Sequence, residues 1–139
     1  MRGVVLSVVL LSAGPALAAP APFAKTQRRA AELDKIQGQW LWHNSAGGSG
    51  RALVVGDKLR WQAANPDGLV ATLSLRPATS PKSIDLTPLG ISSRVQQGIY
   101  RLGSDGFTVH VAWVGESRPT SFELKRKDEV VVYVFRRLR

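Results

Sequence analysis

Residues 107–114 read FTVHVAWV, and apolar side chains occupy every second position of this stretch. A period of two is typical of a β-strand that buries one face and exposes the other to solvent. The side chains predicted to face inward are Phe107, Val109, Val111 and Trp113, and those predicted to face solvent are Thr108 and His110. The same alternation occurs in Lys58–Ala63 and Leu69–Arg76, so we predict an all-β body.

Further strand candidates run from Gln39 to near the end of the chain, separated by short turns rich in Gly, Asn and Asp. Such short links favour antiparallel neighbours. The predicted strands are Gln39–His43, Ala52–Val55, Lys58–Ala63, Leu69–Arg76, Ser83–Leu86, Gln96–Leu102, Phe107–Val114, Thr120–Lys125 and Val130–Arg136. Eight or nine strands in hairpin order predict an up-and-down antiparallel β-barrel that closes its own edges, with a two-sheet sandwich as the alternative.

The first residues have the pattern of a secretory signal peptide. Met1 and Arg2 form a positive start, Val4–Leu11 is apolar, and Ala16-Leu17-Ala18 is a small-x-small cleavage pattern. The apolar run is too short to span a membrane before Gly14-Pro15 interrupts it. We therefore predict a signal peptide over residues 1–18, no transmembrane segment after processing, and an extracytoplasmic protein, either periplasmic or secreted.

The segment after the signal differs from the β-rich body. Residues 19–25 contain two prolines and are predicted to form a linker. In Thr26–Ile36 apolar side chains recur every three or four residues, which predicts a short amphipathic helix. The predicted domain is a β-barrel over residues 26–139, preceded within that range by this helix.

Charge and composition exclude several classes of function. The chain of 139 residues has 19 Lys and Arg against 10 Asp and Glu, a net charge of +9, and no cysteine. Loss of Arg2 with the signal peptide leaves the mature protein at +8. The lack of cysteine excludes disulfides, thiolate metal sites and a cysteine nucleophile. The strongly basic balance is typical of a solvated exterior that keeps a protein soluble; the alternative is attraction to anionic polymers or lipid head groups outside the cytoplasm.

No catalytic motif is present. The two histidines, His43 and His110, lack the spacing of a metal site, and there is no Gly-x-Ser-x-Gly or Ser-x-x-Lys sequence. Both are predicted to be polar positions on solvated strand faces. Asp85 is predicted to cap the loop 77–83, with a buried acceptor at a pocket mouth as the alternative. Trp61 and Trp113 alternate with polar residues, unlike an exposed nucleic-acid stacking platform. We predict a non-enzymatic protein with no metal, cofactor or nucleic acid.

Four stretches carry a resemblance to a known family. They are Ile36–Trp40 (IQGQW), Ser80–Leu86 (SPKSIDL), Gly98–Leu102 (GIYRL) and Arg118–Phe122 (RPTSF). In this order the chain resembles an uncharacterised lipocalin-like domain family abundant in planctomycete bacteria, over about residues 33–139. The resemblance implies an exported lipocalin-like barrel and no established activity. The chain departs from the family at His110, where cysteine is frequent.

The resemblance also implies how the barrel is closed. Gly38-x-Trp40 is similar to the lipocalin motif that opens the first strand, in which a basic residue near the last strand covers the indole. The candidates for that residue are Arg136, Arg137 and Arg139. Such a stack contributes about 0.5–2 kcal/mol, depending on how far the pair is desolvated.

Two functions follow as hypotheses. An eight-stranded barrel is either filled by side chains or admits one small ligand, and both outcomes stay open. If a cavity exists, a monomeric binding module for a small apolar or amphipathic molecule is expected. Its lining is predicted to be Trp61, Leu73, Tyr100, Phe107, Val109, Trp113 and Phe122. The alternative is a surface interaction protein that holds an anionic envelope polymer or a protein partner, with Lys125, Arg126, Arg136 and Arg137 as its basic patch.

Overall fold

The computed structural model describes Gly14 and residues 22–62, 69–90, 94–124 and 129–139. Apart from Gly14, the predicted signal peptide lies outside the described residues. Within these ranges, one helix precedes eight strands. The elements are α1 (Pro22–Lys35), β1 (Gly38–Asn44), β2 (Ser49–Val55), β3 (Lys58–Gln62), β4 (Val70–Arg76), β5 (Ser83–Pro88), β6 (Gln96–Leu102), β7 (Gly106–Ala112) and β8 (Val130–Arg137).

The strands form one closed antiparallel barrel in the order of the chain. Each strand pairs with the next, and the last closes on the first through the register Trp40 opposite Arg137 and Trp42 opposite Phe135. Closure leaves no unpaired edge, which is the arrangement that the short turns and the period of two favour. The predicted up-and-down barrel is confirmed, and the alternative of a two-sheet sandwich is wrong.

The predicted ninth strand, Thr120–Lys125, is wrong. Residues 120–124 have no strand structure, and Lys125 lies outside the described residues. The reason is topological: β7 is hydrogen-bonded to β6 on one side and to β8 on the other, so no edge is left for the residues between them. Alternation in a sequence measures which faces are polar, not whether a partner strand is available.

The alternating apolar side chains fill the barrel. Trp40, Phe107 and Phe135 pack together inside it: the rings of Trp40 and Phe107 meet edge to face at 4.9 Å, and those of Phe107 and Phe135 stack at 4.3 Å. All three side chains are almost fully buried. Val54 and Leu73 extend the same buried cluster over neighbouring strands. The barrel is therefore stabilised by a continuous aromatic and aliphatic core.

Helix α1 lies at one end of the barrel. It begins at Pro22, four residues before the predicted start, so part of the predicted linker is helical. Leu33 and Ile36 pack against the barrel core. Buried Glu32 accepts hydrogen bonds from the ammonium of Lys82 at 3.1 Å and from the hydroxyl of Tyr100 at 3.2 Å. Among the described residues, no helix combines the length and apolar character needed to cross a bilayer.

Opposing influences act on the Glu32–Tyr100 pair. Burial raises the pKa of Glu32, but hydrogen bonding and charge from Lys82 outweigh it and leave that pKa below its usual value. Burial and the neighbouring carboxylate both raise the pKa of Tyr100. The carboxylate therefore stays ionised and the phenol stays protonated, so the pair joins the helix to β6 by a charge-assisted hydrogen bond.

Candidate functional site

The closed end of the barrel is built around Trp40. Its indole nitrogen donates to the carbonyl of Ile36 at 2.9 Å, and the guanidinium of Arg137 lies 4.3 Å from the ring centroid. Arg137 also donates to the carbonyls of Gln37 and Lys35. Gly38 adopts a φ of 107°, a conformation that side-chain-bearing residues rarely adopt. These contacts show how the chain turns from helix into β1 beneath the indole.

Only one of the three candidate arginines covers the indole. Arg137 faces Trp40 across the β1–β8 pair, whereas Arg136 faces Leu41 and is exposed on the outer wall. Because successive side chains of a strand point to opposite faces, neighbouring arginines cannot both reach the ring. The local pattern around Arg136 and Arg137 does not reveal which of them faces inward.

The barrel interior is almost completely filled. The internal cleft measures about 10 Å³, which is at most the space of one water molecule. It is lined by Leu59, Trp61, Leu73, Ile84, Leu86, Phe107, Val109, Tyr133 and Phe135. Four of the predicted cavity residues, Trp61, Leu73, Phe107 and Val109, thus lie together, but they touch each other and the rest of the core. Among the residues that the structure describes, this cleft has no room for a small-molecule ligand.

The other predicted cavity residues lie elsewhere. Tyr100 is inside the barrel but binds Glu32 at the helical end. Trp113 follows the last residue of β7 and is 48% exposed, so its predicted inward position is wrong. Phe122 is also misplaced by the prediction, because it packs on His110, which faces away from the barrel interior.

The segment after β7, residues 113–124, folds back over the outer wall of β5 and β6. Arg118 donates to the carbonyls of Ile84 at 3.0 Å and Gly98 at 2.7 Å, and to the carboxylate of Asp85 at 2.6 Å. Arg76 donates to the other oxygen of Asp85 at 2.7 Å. Asp85 therefore binds two guanidinium groups, and the prediction that it caps the preceding loop is wrong.

His110 is buried beneath this segment, although a solvated position was expected. His110 is 4% exposed, and its ring centroid lies 5.0 Å from that of Phe122. The guanidinium of Arg101 lies 4.9 Å from the centroid of the Phe122 ring. The Nδ1 of His110 has no hydrogen-bond partner among the described residues. Burial, and secondarily the charge of Arg101, lower the pKa of His110 below its usual 6.5. The folded protein therefore resists protonation of this ring.

A dependence of stability on pH follows from His110. Below about pH 6.5 the unfolded chain binds a proton that the folded chain resists, so the free energy of unfolding decreases as the pH falls through this range. The variant His110→Gln is expected to lack this part of the decrease, measured by urea denaturation between pH 7 and pH 5. His43→Gln, at an exposed position on β1, is the matched control. An unchanged profile in His110→Gln would show that the ring is protonated equally in both states.

A cationic groove lies between α1 and the turn that joins β4 to β5. It encloses about 390 Å³ and is lined by Lys25, Thr26, Arg28, Arg29, Leu75, Arg76, Pro77, Ala78 and Thr79. Four of these nine side chains are cationic and none is acidic. Arg76 shares its charge with Asp85, and the three helix cations are exposed. We call this set of nine residues the cationic groove.

The first part of α1 makes the cationic groove more electropositive. The helix has no acidic residue in its first turn, where the unpaired amide groups carry partial positive charge. Lys25, Arg28 and Arg29 lie near that end, an arrangement that is unfavourable for the helix alone. A bound anion would relieve this repulsion, so the local electrostatics favour occupancy by negatively charged groups.

Sequence reasoning missed this site. Its expected basic clusters were at residues 125–127, which lie outside the described residues, and at the C-terminus. Lys25 was assigned to the linker, although the spacing of three and four residues to Arg28 and Arg29 is the signal of a single helix face. Arg76 joins them only because the helix packs beside β4. That contact has no counterpart in the local sequence.

Metal chemistry has no candidate centre in the described part of the chain, because His, Asp and Glu do not form a group of three there.

Comparisons with protein-family models, curated proteins and solved structures find no match to this chain. The similarity to the lipocalin-like family therefore remains a prediction from four short stretches. The barrel itself is established by the strand pairing.

Proposed function

We propose that the protein is a non-catalytic binding module that holds an anionic polymer of the cell envelope through the cationic groove. The observation that carries the proposal is the convergence of four cationic side chains, from two elements distant in sequence, on a groove whose described lining residues include no acidic one. The predicted export supports a partner outside the cytoplasm. The filled interior favours this hypothesis over a ligand inside the barrel.

The exposure of the cations favours a polymer over a single small anion. An exposed ion pair contributes only about 0–1 kcal/mol, because water and salt screen it. Several pairs must then form together for useful affinity, and a chain with repeated negative groups supplies them. Pro77 and Ala78 add apolar surface on the wall opposite the helix. Binding is expected to weaken steeply as ionic strength rises.

The proposal is tested with fluorescently labelled polyphosphate as the probe, by fluorescence anisotropy at low salt. The triple variant Lys25→Gln/Arg28→Gln/Arg29→Gln is expected to bind about 10- to 100-fold more weakly, since it loses three ion pairs of modest strength. The matched control is Arg51→Gln/Arg94→Gln/Arg136→Gln, which removes the same charge from exposed positions outside the groove.

The two triple variants distinguish a site from a diffuse field. If the control variant loses as much affinity as the groove variant, net charge alone drives binding and the proposed site is incorrect. If wild-type protein fails to bind polyphosphate, and also fails to bind a carboxylated polysaccharide such as polygalacturonate, the function itself is rejected. Circular dichroism of each variant confirms that the barrel has folded.

A further inference from the structure

The outer wall of β2, β3 and β4 carries a second groove that shares no residue with the cationic groove. It encloses about 760 Å³ and is lined by Leu53, Val55, Lys58, Arg60, Leu69, Val70 and Leu89. Three of its apolar side chains are strongly exposed: Val55 at 63%, Leu69 at 72% and Leu89 at 52%. Exposed apolar surface of this kind, bordered by polar groups, typically marks an interaction site.

The strand register explains why apolar and cationic side chains alternate across this wall. Leu53 pairs with Arg60, and Arg60 pairs in turn with Val70. Val55 pairs with Lys58 in the same outward-facing row. Arg60 therefore lies between two apolar neighbours, whereas Lys58 lies between Val55 and Thr72. Both side chains can extend along this surface while their charged ends stay in a polar layer.

We propose that this outer wall docks the protein on an anionic lipid bilayer. Val55, Leu69 and Leu89 enter the boundary between head groups and acyl chains, and Lys58 and Arg60 bind lipid phosphates. Interfacial binding of this kind combines buried apolar area with electrostatic attraction to anionic lipid. This surface and its lipid partner are separate from the cationic groove and the polymer proposed to bind there.

Charge complementarity selects the occupant. Lys58 has one acidic neighbour, Asp57, at 3.0 Å, and both side chains of that pair are nearly half exposed. Arg60 has no carboxylate partner among the residues that the structure describes. A second copy of the chain, docked through the same wall, would bring its own Lys58 and Arg60 close to those of the first copy, and the like charges would repel each other. A bilayer supplies the phosphates and the apolar layer side by side, as this wall requires.

The test is flotation with vesicles of phosphatidylglycerol and phosphatidylcholine in equal amounts, compared with phosphatidylcholine alone. Wild-type protein is expected to float only with the anionic vesicles. The variant Val55→Ser/Leu69→Ser/Leu89→Ser is expected to lose at least about tenfold in partitioning, because three apolar side chains no longer enter the interface. The matched control is Leu41→Ser/Val95→Ser/Leu124→Ser, which removes exposed apolar side chains from positions outside this groove.

A site-specific probe reports insertion directly. The chain has no cysteine, so Leu89→Cys and, as a control, Leu41→Cys each provide one attachment point for nitrobenzoxadiazole. The fluorescence of the label at residue 89 is expected to increase and shift to shorter wavelength with anionic vesicles, while the label at residue 41 changes little. Similar responses at both positions would contradict docking through this wall.

The remaining outcomes separate this inference from the proposed polymer function. The groove variant, Lys25→Gln/Arg28→Gln/Arg29→Gln, should float with anionic vesicles as well as its charge-matched control, Arg51→Gln/Arg94→Gln/Arg136→Gln. The variant Val55→Ser/Leu69→Ser/Leu89→Ser should bind polyphosphate as wild type does. Absence of wild-type flotation, equal flotation with neutral vesicles, or flotation unaffected by the serine substitutions would each overturn the inference.

Discussion

Trp40→Ala is expected to lower the free energy of unfolding by about 3–5 kcal/mol, the range typical of removing a buried large aromatic side chain. The indole is 2% exposed, meets Phe107 edge to face and lies beneath Arg137. Its removal leaves a cavity at the closed end of the barrel and deprives the carbonyl of Ile36 of its indole donor. Urea denaturation followed by far-ultraviolet circular dichroism measures the change.

Trp113→Ala is the matched control for this prediction. The residue type and the volume removed are the same, but Trp113 lies after β7 and is 48% exposed. Its substitution is expected to change the free energy of unfolding by no more than about 1 kcal/mol. Equal losses from the two tryptophan variants would contradict the account of Trp40 as the residue around which the closed end is packed.

Asp85→Ala is expected to destabilise the protein by about 2–4 kcal/mol, because it removes the shared acceptor of two charge-assisted hydrogen bonds. Arg76 and Arg118 would then face each other without a carboxylate between them. The segment 113–124 is expected to exchange its amide hydrogens faster, since Arg118 loses one of its anchoring contacts. Hydrogen exchange and urea denaturation measure the local and global effects.

A double-mutant cycle isolates the contact. Asp85→Ala combined with Arg118→Met is expected to be less destabilising than the sum of the single variants, with a coupling energy of about 1–3 kcal/mol. Asp57→Asn is the control, because the Asp57–Lys58 pair is exposed on both sides and is expected to contribute at most about 1 kcal/mol. Additive effects at Asp85 and Arg118 would show that their short contact contributes little.

These contacts also give a structural explanation for the quoted stretches. Arg118, in the last of them, binds the carbonyl of Ile84 and the carboxylate of Asp85 in the second and the carbonyl of Gly98 in the third. Trp40, in the first, hydrogen-bonds within its own stretch. The spacing of these stretches is thus accounted for by barrel closure and by the anchoring of one segment. None of these contacts lies in the cationic groove.

The strands were largely predictable because their signals are local. β6 was predicted with identical bounds, and β8 differs from the prediction by one residue at its end. The helix was predicted from its apolar stripe, but its start was placed too late because prolines before Thr26 suggested a linker. Pro22 instead occupies the beginning of α1, where a missing amide hydrogen costs the helix nothing.

The sites were far less predictable than the strands. His110 alternates with apolar residues that face the interior, which predicts an outward, solvated position, yet a segment that returns over the outer wall buries it. Trp61, Phe107 and Val109 were correctly predicted to face the interior. Whether such side chains leave a cavity depends on how their volumes fit together. Side-chain packing of this kind involves many strands at once, and the apolar alternation within one hairpin carries no information about it.

The amino-acid sequence by itself determined an all-β antiparallel body with one short helix, because periodicity and turn chemistry act over a few neighbouring residues. Only the tertiary structure decided that the interior is filled, that Arg137 rather than Arg136 covers Trp40, and that Lys25, Arg28, Arg29 and Arg76 share one groove. The first two depend on barrel closure, and the third depends on the packing of the helix beside β4. Both bring together residues that are far apart in the chain, which no local pattern can report.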